Sequence, residues 1–316
     1  MGCPKNFSII IPHYNTPILL MRCLESIPVR EDIQVIVVDD CSPNASEYLQ
    51  KYPLLSRPYL EFYSTGKGGS SGRARNVGLE HAKGKWLLFA DADDLFVEDL
   101  EVILNSLLNI DAEVVYFSFK SVMSENLSMA SKRDQSTCYL LQNHPQRDIY
   151  ARTYVPFPFA KMVSRALVEE HHIRFEETRW SNDFLFAVSV GCLAKNIHLD
   201  NRVIYLLCER EGSLTSKFCE DMEEHIIRAE VAIRCYNVAF AHHYVIQDEP
   251  YPVVYIMRKM WKRDKVTFTR LFMLLEPKAE SLFYKQFCYG ARWKRRFSIR
   301  VFSLFSKLYR LFIMKQ

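Results

Sequence analysis

The segment of this sequence best suited to chemistry is Asp91-Ala92-Asp93-Asp94, which directly follows the apolar run at residues 86–90. Three carboxylates within four residues repel one another, so the cluster is stable mainly where a cation lies beside it. Mg²⁺ takes oxygen ligands and often combines one or two carboxylates with the phosphates of a substrate. We interpret the cluster as a metal–diphosphate site. The alternative is a solvated turn in which Asp93 or Asp94 caps the next helix.

A second acidic pair, Asp39-Asp40, follows the apolar run at residues 34–38. A carboxylate can accept a hydrogen bond from the imide N–H of uracil or thymine, and this selects among bases. Tyr14, after the first apolar run, offers a ring on which a base can stack. The alternatives are an Asx turn before Pro43 and a tyrosine that serves packing.

A glycine-rich stretch at residues 66–72 resembles a phosphate-binding loop, but its spacing fits no Walker A motif. The glycines are equally consistent with a tight turn. Arg73 and Arg75, at the start of the following helix, are candidate partners for a phosphate or a carboxylate.

Asp183, in Trp180-Ser181-Asn182-Asp183, stands at a predicted helix start. It can be an N-cap or a general base for a hydroxyl nucleophile, and spacing alone does not choose between these roles. The pairs His171-His172 and His242-His243 lack carboxylate or cysteine partners at metal-ligand spacing, so we interpret them as surface or packing residues.

The elements that must position these residues alternate along the first half of the chain. Apolar strands are predicted at residues 7–12, 34–38, 60–63, 86–90 and 113–119. Helices are predicted at 17–27, 45–52 and 100–108, and another passes through Arg75, Leu79 and Ala82. Continuous apolar runs are typical of strands covered on both faces, which predicts an α/β fold with a mostly parallel sheet flanked by helices. Ligands bind beyond the carboxyl ends of such strands, where the polar clusters stand.

The remaining chain is predicted in less detail. We expect residues 120–150 to form an irregular loop over the site, and helices near 164–172 and after Asp183. From about residue 219 onward the pattern is helical. We therefore place a domain boundary near 216, with a nucleotide-binding and catalytic domain at 1–216 and a helical, basic region at 217–316.

Composition excludes several classes of protein. The 316 residues are 49% hydrophobic and 25% charged, as in an ordinary globular protein, and the nine cysteines include no CxxC pair. No apolar run reaches the roughly 18 residues of a transmembrane helix.

Charge is divided unevenly along the chain. Residues 291–316 carry eight basic residues and no acid, which leaves 33 basic against 37 acidic residues in 1–290. Apolar residues recur in this tail at intervals of three and four, which predicts a basic amphipathic helix on an anionic membrane surface. The alternatives are a helix docked on the core and a nucleic-acid patch, and we expect no nucleic-acid partner.

Taken together, four segments resemble the family 2 glycosyltransferases of the GT-A fold, a Rossmann-like α/β fold, in their bacterial surface-polysaccharide type. The segments are residues 8–15 (SIIIPHYN), 37–42 (VVDDCS), 72–79 (GRARNVGL) and 82–94 (AKGKWLLFADADD). Their order and spacing fit over residues 6–110, and more loosely to about 216.

The resemblance implies a role for each site residue. Pro12, Tyr14 and Asp40 would hold the nucleobase with support from Asp39, Arg75 would belong to the nucleotide site, Asp91 would meet the ribose or the metal, and Asp93 would bind Mg²⁺ or Mn²⁺ with the donor diphosphate. Asp183 is similar to the acceptor base, usually the Asp of a Glu-Asp pair, although here the pair is Asn182-Asp183. Residues 210–215 are similar to a closing segment that approaches the diphosphate.

The implied reaction is an inverting, metal-dependent transfer of a hexosyl or N-acetylhexosaminyl group. The donor would be a UDP-sugar and the acceptor a hydroxyl of a glycan or lipid-linked glycan. The expected location is cytoplasmic, peripheral on the inner face of the cell membrane. The alternatives are a nucleotidyltransferase with a similar α/β core and an inactive sugar-nucleotide-binding scaffold.

Overall fold

A computed structural model describes residues 4–43, 45, 51–52, 57–210 and 222–288. The chain divides into two compact units, residues 1–219 and 220–316. The predicted basic tail at 291–316, most of the predicted helix at 45–52, and residues 211–215 lie outside the described residues.

The first unit alternates strands and helices. In chain order its described elements are β1 (Phe7–His13), α1 (Pro17–Glu25), β2 (Ile33–Asp39), β3 (Leu60–Ser64), α2 (Ser71–His81), β4 (Trp86–Phe89), β5 (Leu95–Phe96), α3 (Leu100–Ser106), β6 (Val114–Met123), β7 (Asn126–Ala130), α4 (Gln135–Asn143), α5 (Arg147–Tyr154), β8 (Lys161–Ser164), α6 (Arg165–Glu170), α7 (Phe184–Leu193) and β9 (Ile197–Glu209). The five predicted strands are confirmed as β1, β2, β3, β4 and β6.

The strands form one mixed sheet in the order β3-β2-β1-β4-β8-β6-β9-β5, with β7 paired to β6. The neighbours β3, β2, β1 and β4 are parallel, as the sequence predicts. Beyond them β8 runs antiparallel to both β4 and β6, and β9 is parallel to β6. The parallel prediction therefore holds for the half of the sheet that carries the acidic clusters.

Both faces of this half are buried, which explains its uninterrupted apolar strands. On one face Ile9, Val35 and Leu88 pack with the apolar residues of α1 and α3. On the other face Ile10 and Ile36 pack with α2, α6 and α7. Two layers of helices around one sheet bury most of the apolar surface of this unit, and this burial is the main source of its stability.

The prediction of an irregular loop at residues 120–150 is wrong. This stretch contains the end of β6, the hairpin strand β7, the helix α4 and the first half of α5. Helix α4 buries only Leu141 and β7 is exposed throughout, so neither shows the apolar periodicity that identifies an element in a sequence.

The second unit is helical in its described part, as the sequence predicts. Its helices are α8 (Met222–Ala241), α9 (Pro252–Arg263), α10 (Lys265–Phe272) and α11 (Glu280–Cys288). Their core is aromatic: Tyr236 meets the rings of Tyr251 and Phe283 edge to face. Among the described helices none is long and apolar enough to cross a membrane.

Candidate active site

The polar clusters lie at the carboxyl end of the parallel strands. In the parallel register His13 on β1 stands opposite Asp39 on β2, and Ile10 on β1 stands opposite Phe89 on β4. The segments that leave these strands, residues 13–15, 39–42 and 90–94, therefore emerge on the same edge of the sheet. This is the edge at which ligands bind in open α/β sheets.

Asp39 is fully buried and holds two of these segments together. Its carboxylate accepts hydrogen bonds from His13 Nδ1 at 2.9 Å, from Ser42 Oγ at 2.6 Å and from the Ser42 amide at 2.8 Å. The Thr16 amide donates to His13 Nε2, so the ring proton lies on Nδ1. Burial alone would raise the pKa of Asp39, but the bonds from His13 and Ser42 lower it overall. Asp39 therefore stabilises the loop at residues 39–42 through its side chain, as the alternative of an Asx turn before Pro43 predicts.

Asp40 is half-buried and faces the glycine-rich loop. Its Oδ1 accepts from Thr65 Oγ1 at 2.9 Å, and the Gly69 amide lies 3.2 Å from both carboxylate oxygens. The loop thus folds over the acidic pair. Pro12 is buried within β1, whereas the Tyr14 side chain is 58% exposed and is not used for packing.

Asp94 has a structural role in the Asp91–Asp94 turn. It is buried, and it accepts from Tyr205 Oη at 2.7 Å and from the Cys208 amide at 2.7 Å. The same Tyr205 oxygen accepts from the Asp91 amide at 2.9 Å, so strand β9 fixes the turn from both ends. Burial, with repulsion from Asp91 and Asp93, raises the pKa of Asp94 well above its usual range. The helix-cap alternative does not apply, because α3 begins at Leu100.

Asp91 forms an ion pair with Arg75, whose Nη2 lies 2.5 Å from the carboxylate. The Arg75 side chain is only 5% exposed, against 39% for Asp91. Arg75 Nη1 also donates to Asn182 Oδ1 at 3.0 Å, and the guanidinium stands over the Phe175 ring. Arg75 therefore connects the end of β4 with the residue next to Asp183.

Asp93 is held by two arginines. Arg210 Nε donates to its carboxylate at 3.1 Å, and Arg22 Nη2 donates to its backbone carbonyl at 2.9 Å. Burial, then repulsion from Asp91, raises the pKa of Asp93 despite the Arg210 ion pair. Arg22 also donates to the Ser124 carbonyl at 2.8 Å, which ties the β6–β7 hairpin to the turn. Nothing in the sequence marks Arg22 for this position.

Asp183 occupies the cap position of α7, but its side chain makes no capping hydrogen bond. The N-cap alternative is therefore not observed. Burial raises the pKa of Asp183; the positive charge of Arg75 opposes the rise, repulsion from Asp91 adds to it, and Lys161 opposes it further. A carboxylate with a raised pKa that is not used as a cap is suited to accept a proton.

Asn182 explains how the departure from a Glu-Asp pair is accommodated. It is buried, accepts from Arg75 and from Ser71 Oγ at 3.2 Å, and donates to the Thr178 carbonyl at 3.2 Å. Its amide fits this position because it both accepts and donates. The loop before α7 approaches α2 closely: a Cβ on Gly72 would lie 2.0 Å from the Glu176 carbonyl oxygen.

Lys161 on β8 is a buried basic residue that no sequence motif singles out. Its Nζ donates to the Val155 carbonyl at 2.8 Å and to the Phe157 carbonyl, and it faces the Phe157 ring. Burial lowers the pKa of Lys161 to about 7, while the charge of Asp183 opposes this shift. A lone lysine inside the apolar stretch at residues 157–163 was the available signal. The four histidines at 171–172 and 242–243 are exposed, as expected.

This fold and edge site have the architecture of the GT-A glycosyltransferases. The sequence matches glycosyl transferase family 2 over residues 8–171, more than half of the chain, and the chain therefore belongs to that family. The predicted family and fold class are confirmed.

One curated relative is TarS of Staphylococcus aureus, a poly(ribitol-phosphate) β-N-acetylglucosaminyltransferase. It is 27% identical over 242 residues, which cover 73% of this chain and 40% of TarS. The chain thus spans about two fifths of the length of this relative.

Two solved structures show the same fold. TarS 1–349 in complex with UDP-GlcNAc has a TM-score of 0.60 at 18% identity, covering 90% of this chain and 88% of that one. PcManGT, a mannosyltransferase from Pyrobaculum calidifontis in complex with GDP-Man and Mn²⁺, has a TM-score of 0.53 at 16% identity, covering 98% and 82%. At these identities the likeness concerns the fold alone.

Proposed function

We propose that this chain transfers a hexosyl or N-acetylhexosaminyl group from a UDP-sugar to a hydroxyl of a glycan or lipid-linked glycan, with inversion at the anomeric carbon. The observation that carries the proposal is the presence of two carboxylates, Asp91 and Asp93, at the end of β4 together with a third, Asp183, which is repelled by Asp91 and does not cap its helix. Family membership supports the reaction class.

The nucleotide half of the site is assigned to the ends of β1 and β2. Tyr14 has an exposed ring on which uracil can stack, and Asp40 has a carboxylate that can accept the imide N–H. Pro12 would border the base, and Asp39 keeps the loop in shape through His13 and Ser42. The UDP-GlcNAc bound to the TarS structure supports uridine as the base.

The donor set at Asp91 and Asp93 fits a hard divalent cation such as Mg²⁺ or Mn²⁺. Across the described ranges, no group of three or more His, Cys, Asp or Glu side chains is arranged to hold a metal ion. The protein would therefore supply these two carboxylates, and the donor diphosphate would complete the coordination. The pairing of both aspartates with arginines indicates that the turn requires positive charge. When bound, the cation neutralises charge that develops on the leaving diphosphate.

The residues of this chain perform the remaining steps. The Asp183 carboxylate takes the proton of the acceptor hydroxyl. The oxygen then attacks the anomeric carbon from the face opposite the diphosphate. A new C–O bond forms as the bond to the diphosphate oxygen breaks, which inverts the configuration. Arg75 positions the two halves of the site, because its guanidinium holds both Asp91 and Asn182.

We assign the protein a peripheral position on the inner face of the cell membrane. The support is the basic amphipathic sequence of residues 291–316, and a lipid-linked acceptor would give such binding a purpose.

Asp183→Asn is the decisive variant. If Asp183 is the base, the variant loses transfer to acceptor while its UDP affinity, measured by thermal shift with and without Mn²⁺, stays within about twofold. Asp99→Asn is the matched control, because Asp99 holds the cap position of α3 without a capping side-chain bond and is exposed. Full activity of Asp183→Asn would exclude the base assignment. Absence of any UDP or dTDP shift at millimolar ligand would exclude the uridine donor.

A further inference from the structure

The helices α9 and α10 of the second unit present a strongly basic surface. Residues 252–272 contain six basic residues and one acid, Asp264. The Asp264 carboxylate caps α10, accepting from the Val266 amide at 2.9 Å, the Thr267 amide at 3.1 Å and Thr267 Oγ1 at 2.6 Å. These bonds lower the pKa of Asp264, so its carboxylate remains charged. It offsets the charge of only one of the six basic residues.

Part of this positive charge is directed inward. Arg258 donates to the Gln286 and Phe287 carbonyls at 3.0 Å each, which holds α11, and Arg270 lies 3.5 Å from Glu230. For Lys262, Arg263 and Lys265 no carboxylate partner occurs within the described ranges, and all three are exposed. They form the centre of the outward face.

The face is defined by Tyr255, Lys259, Lys262, Arg263, Lys265 and Val266, here called the α9–α10 surface. Positions 255, 259, 262 and 263 share one side of α9 at helical spacing. The opposite side, with Val253, Val254, Met257 and Met260, is buried against the rest of the unit. The surface is therefore not the packing face of the helix.

Two residues of this set have exposed hydrophobic side chains. Val266 is 81% exposed and Tyr255 is 55% exposed. Trp261 packs edge to face on Phe268, with Lys265 Nζ 5.7 Å from its ring centroid. A protruding aliphatic residue and an aromatic ring among lysines are typical of proteins that bind in the interface of an anionic membrane.

We propose that the α9–α10 surface binds an anionic lipid membrane. Charge favours an acidic occupant over a basic segment such as residues 291–316, which carry eight basic residues and no acid. A soluble polyanion would pair with the lysines but would leave Val266 and Tyr255 in water, whereas a lipid interface accepts both groups. The proposal goes beyond the proposed transfer reaction and stands whether or not the chain transfers a sugar.

The test is co-sedimentation of the full chain with phosphatidylglycerol–phosphatidylcholine vesicles and with pure phosphatidylcholine vesicles. Each lysine near an anionic surface contributes roughly fivefold to partitioning, so Lys262→Gln with Lys265→Gln should weaken binding about thirtyfold. Lys195→Gln with Lys278→Gln changes the net charge equally at two other exposed lysines. If this control pair weakens vesicle binding equally, net charge alone explains the loss, and the proposal is overturned.

Val266→Ser separates a membrane from a soluble polyanion. The residue is exposed, so the variant should fold normally, and we expect about fivefold weaker vesicle binding that persists at high salt. Unchanged vesicle binding by Val266→Ser, or equal binding to pure phosphatidylcholine vesicles, would refute an anionic membrane as the occupant. Equal thermal midpoints for all variants would confirm that folding is intact.

Discussion

Lys161 gives the most quantitative prediction, because its amine is buried and no carboxylate of the described residues is in hydrogen-bond contact with it. Its pKa is about 7 in the folded protein against 10.5 for an ordinary lysine. Below about pH 7 the amine is charged in both the folded and the unfolded state. Burial of the charge then lowers the free energy of unfolding by its full amount. Between about pH 7 and 10.5 the unfolded chain binds more protons, so stability must rise with pH in this window.

The size of the effect follows from the difference in pKa. One unit corresponds to about 1.4 kcal/mol, so the free energy of unfolding should rise by about 1.4 kcal/mol per pH unit and by about 5 kcal/mol over the whole window. Lys161→Met keeps the length of the side chain and removes the titration. It also leaves the Val155 and Phe157 carbonyls without their donor, so the slope with pH, not the absolute difference, carries the prediction.

The assay is urea unfolding of wild type and Lys161→Met from pH 6.5 to 10, with Lys195→Met as the exposed control. Subtracting the variant removes the titration of all other groups. As pH rises, the free energy of unfolding of wild type should increase relative to that of Lys161→Met. The difference in free energy of unfolding between wild type and Lys195→Met should stay nearly constant. A constant difference between wild type and Lys161→Met would mean that Asp183 keeps the amine charged, and it would refute the burial argument.

Three further variants or conditions test the site. Gly72→Ala should lower the free energy of unfolding by about 2 kcal/mol, because its Cβ meets a backbone oxygen; Gly68→Ala, whose nearest contact is 3.7 Å, should be nearly neutral in the same urea assay. Arg22→Gln should weaken UDP binding at least tenfold in calorimetry, since it releases the Asp91–Asp94 turn from the β6–β7 hairpin; wild-type affinity would exclude this role of Arg22. In a pH–rate profile, kcat/KM should fall on acidification at a pH above that of an ordinary aspartate, because burial raises the pKa of Asp183; an acid limb at the ordinary value would contradict the assignment.

The sequence predicts those parts of the fold that bury both faces of a strand. β1, β2 and β4 are continuous apolar runs bounded by polar residues, and their edge could be located from this pattern alone. β8 was not predicted, because four residues that include a lysine do not resemble a buried strand. Its place between β4 and β6 depends on long-range pairing, which no local pattern records.

The site was predictable in its residue types but not in its pairings. The sequence marks Asp91–Asp94 as one cluster, yet the structure gives its members different partners. Asp91 pairs with Arg75, Asp93 with Arg210, and Asp94 with strand β9. These partners are up to 117 residues away in the chain, and only folding brings them together. Spacing therefore could not separate the buried structural aspartate from the two that remain candidates for the metal.

The hydrogen bonds of Asp94 also set the order in which this unit can mature during synthesis. Tyr205 and Cys208 lie 111 and 114 residues beyond Asp94, so the turn cannot be secured until the chain through β9 has left the ribosome. Contacts so distant in sequence form late, because the loop entropy is lost before they contribute. A nascent chain that ends before Tyr205 contains the acidic turn but lacks the hydrogen bonds that hold Asp94. The nucleotide site proposed at this edge is therefore completed only when β9 is in place.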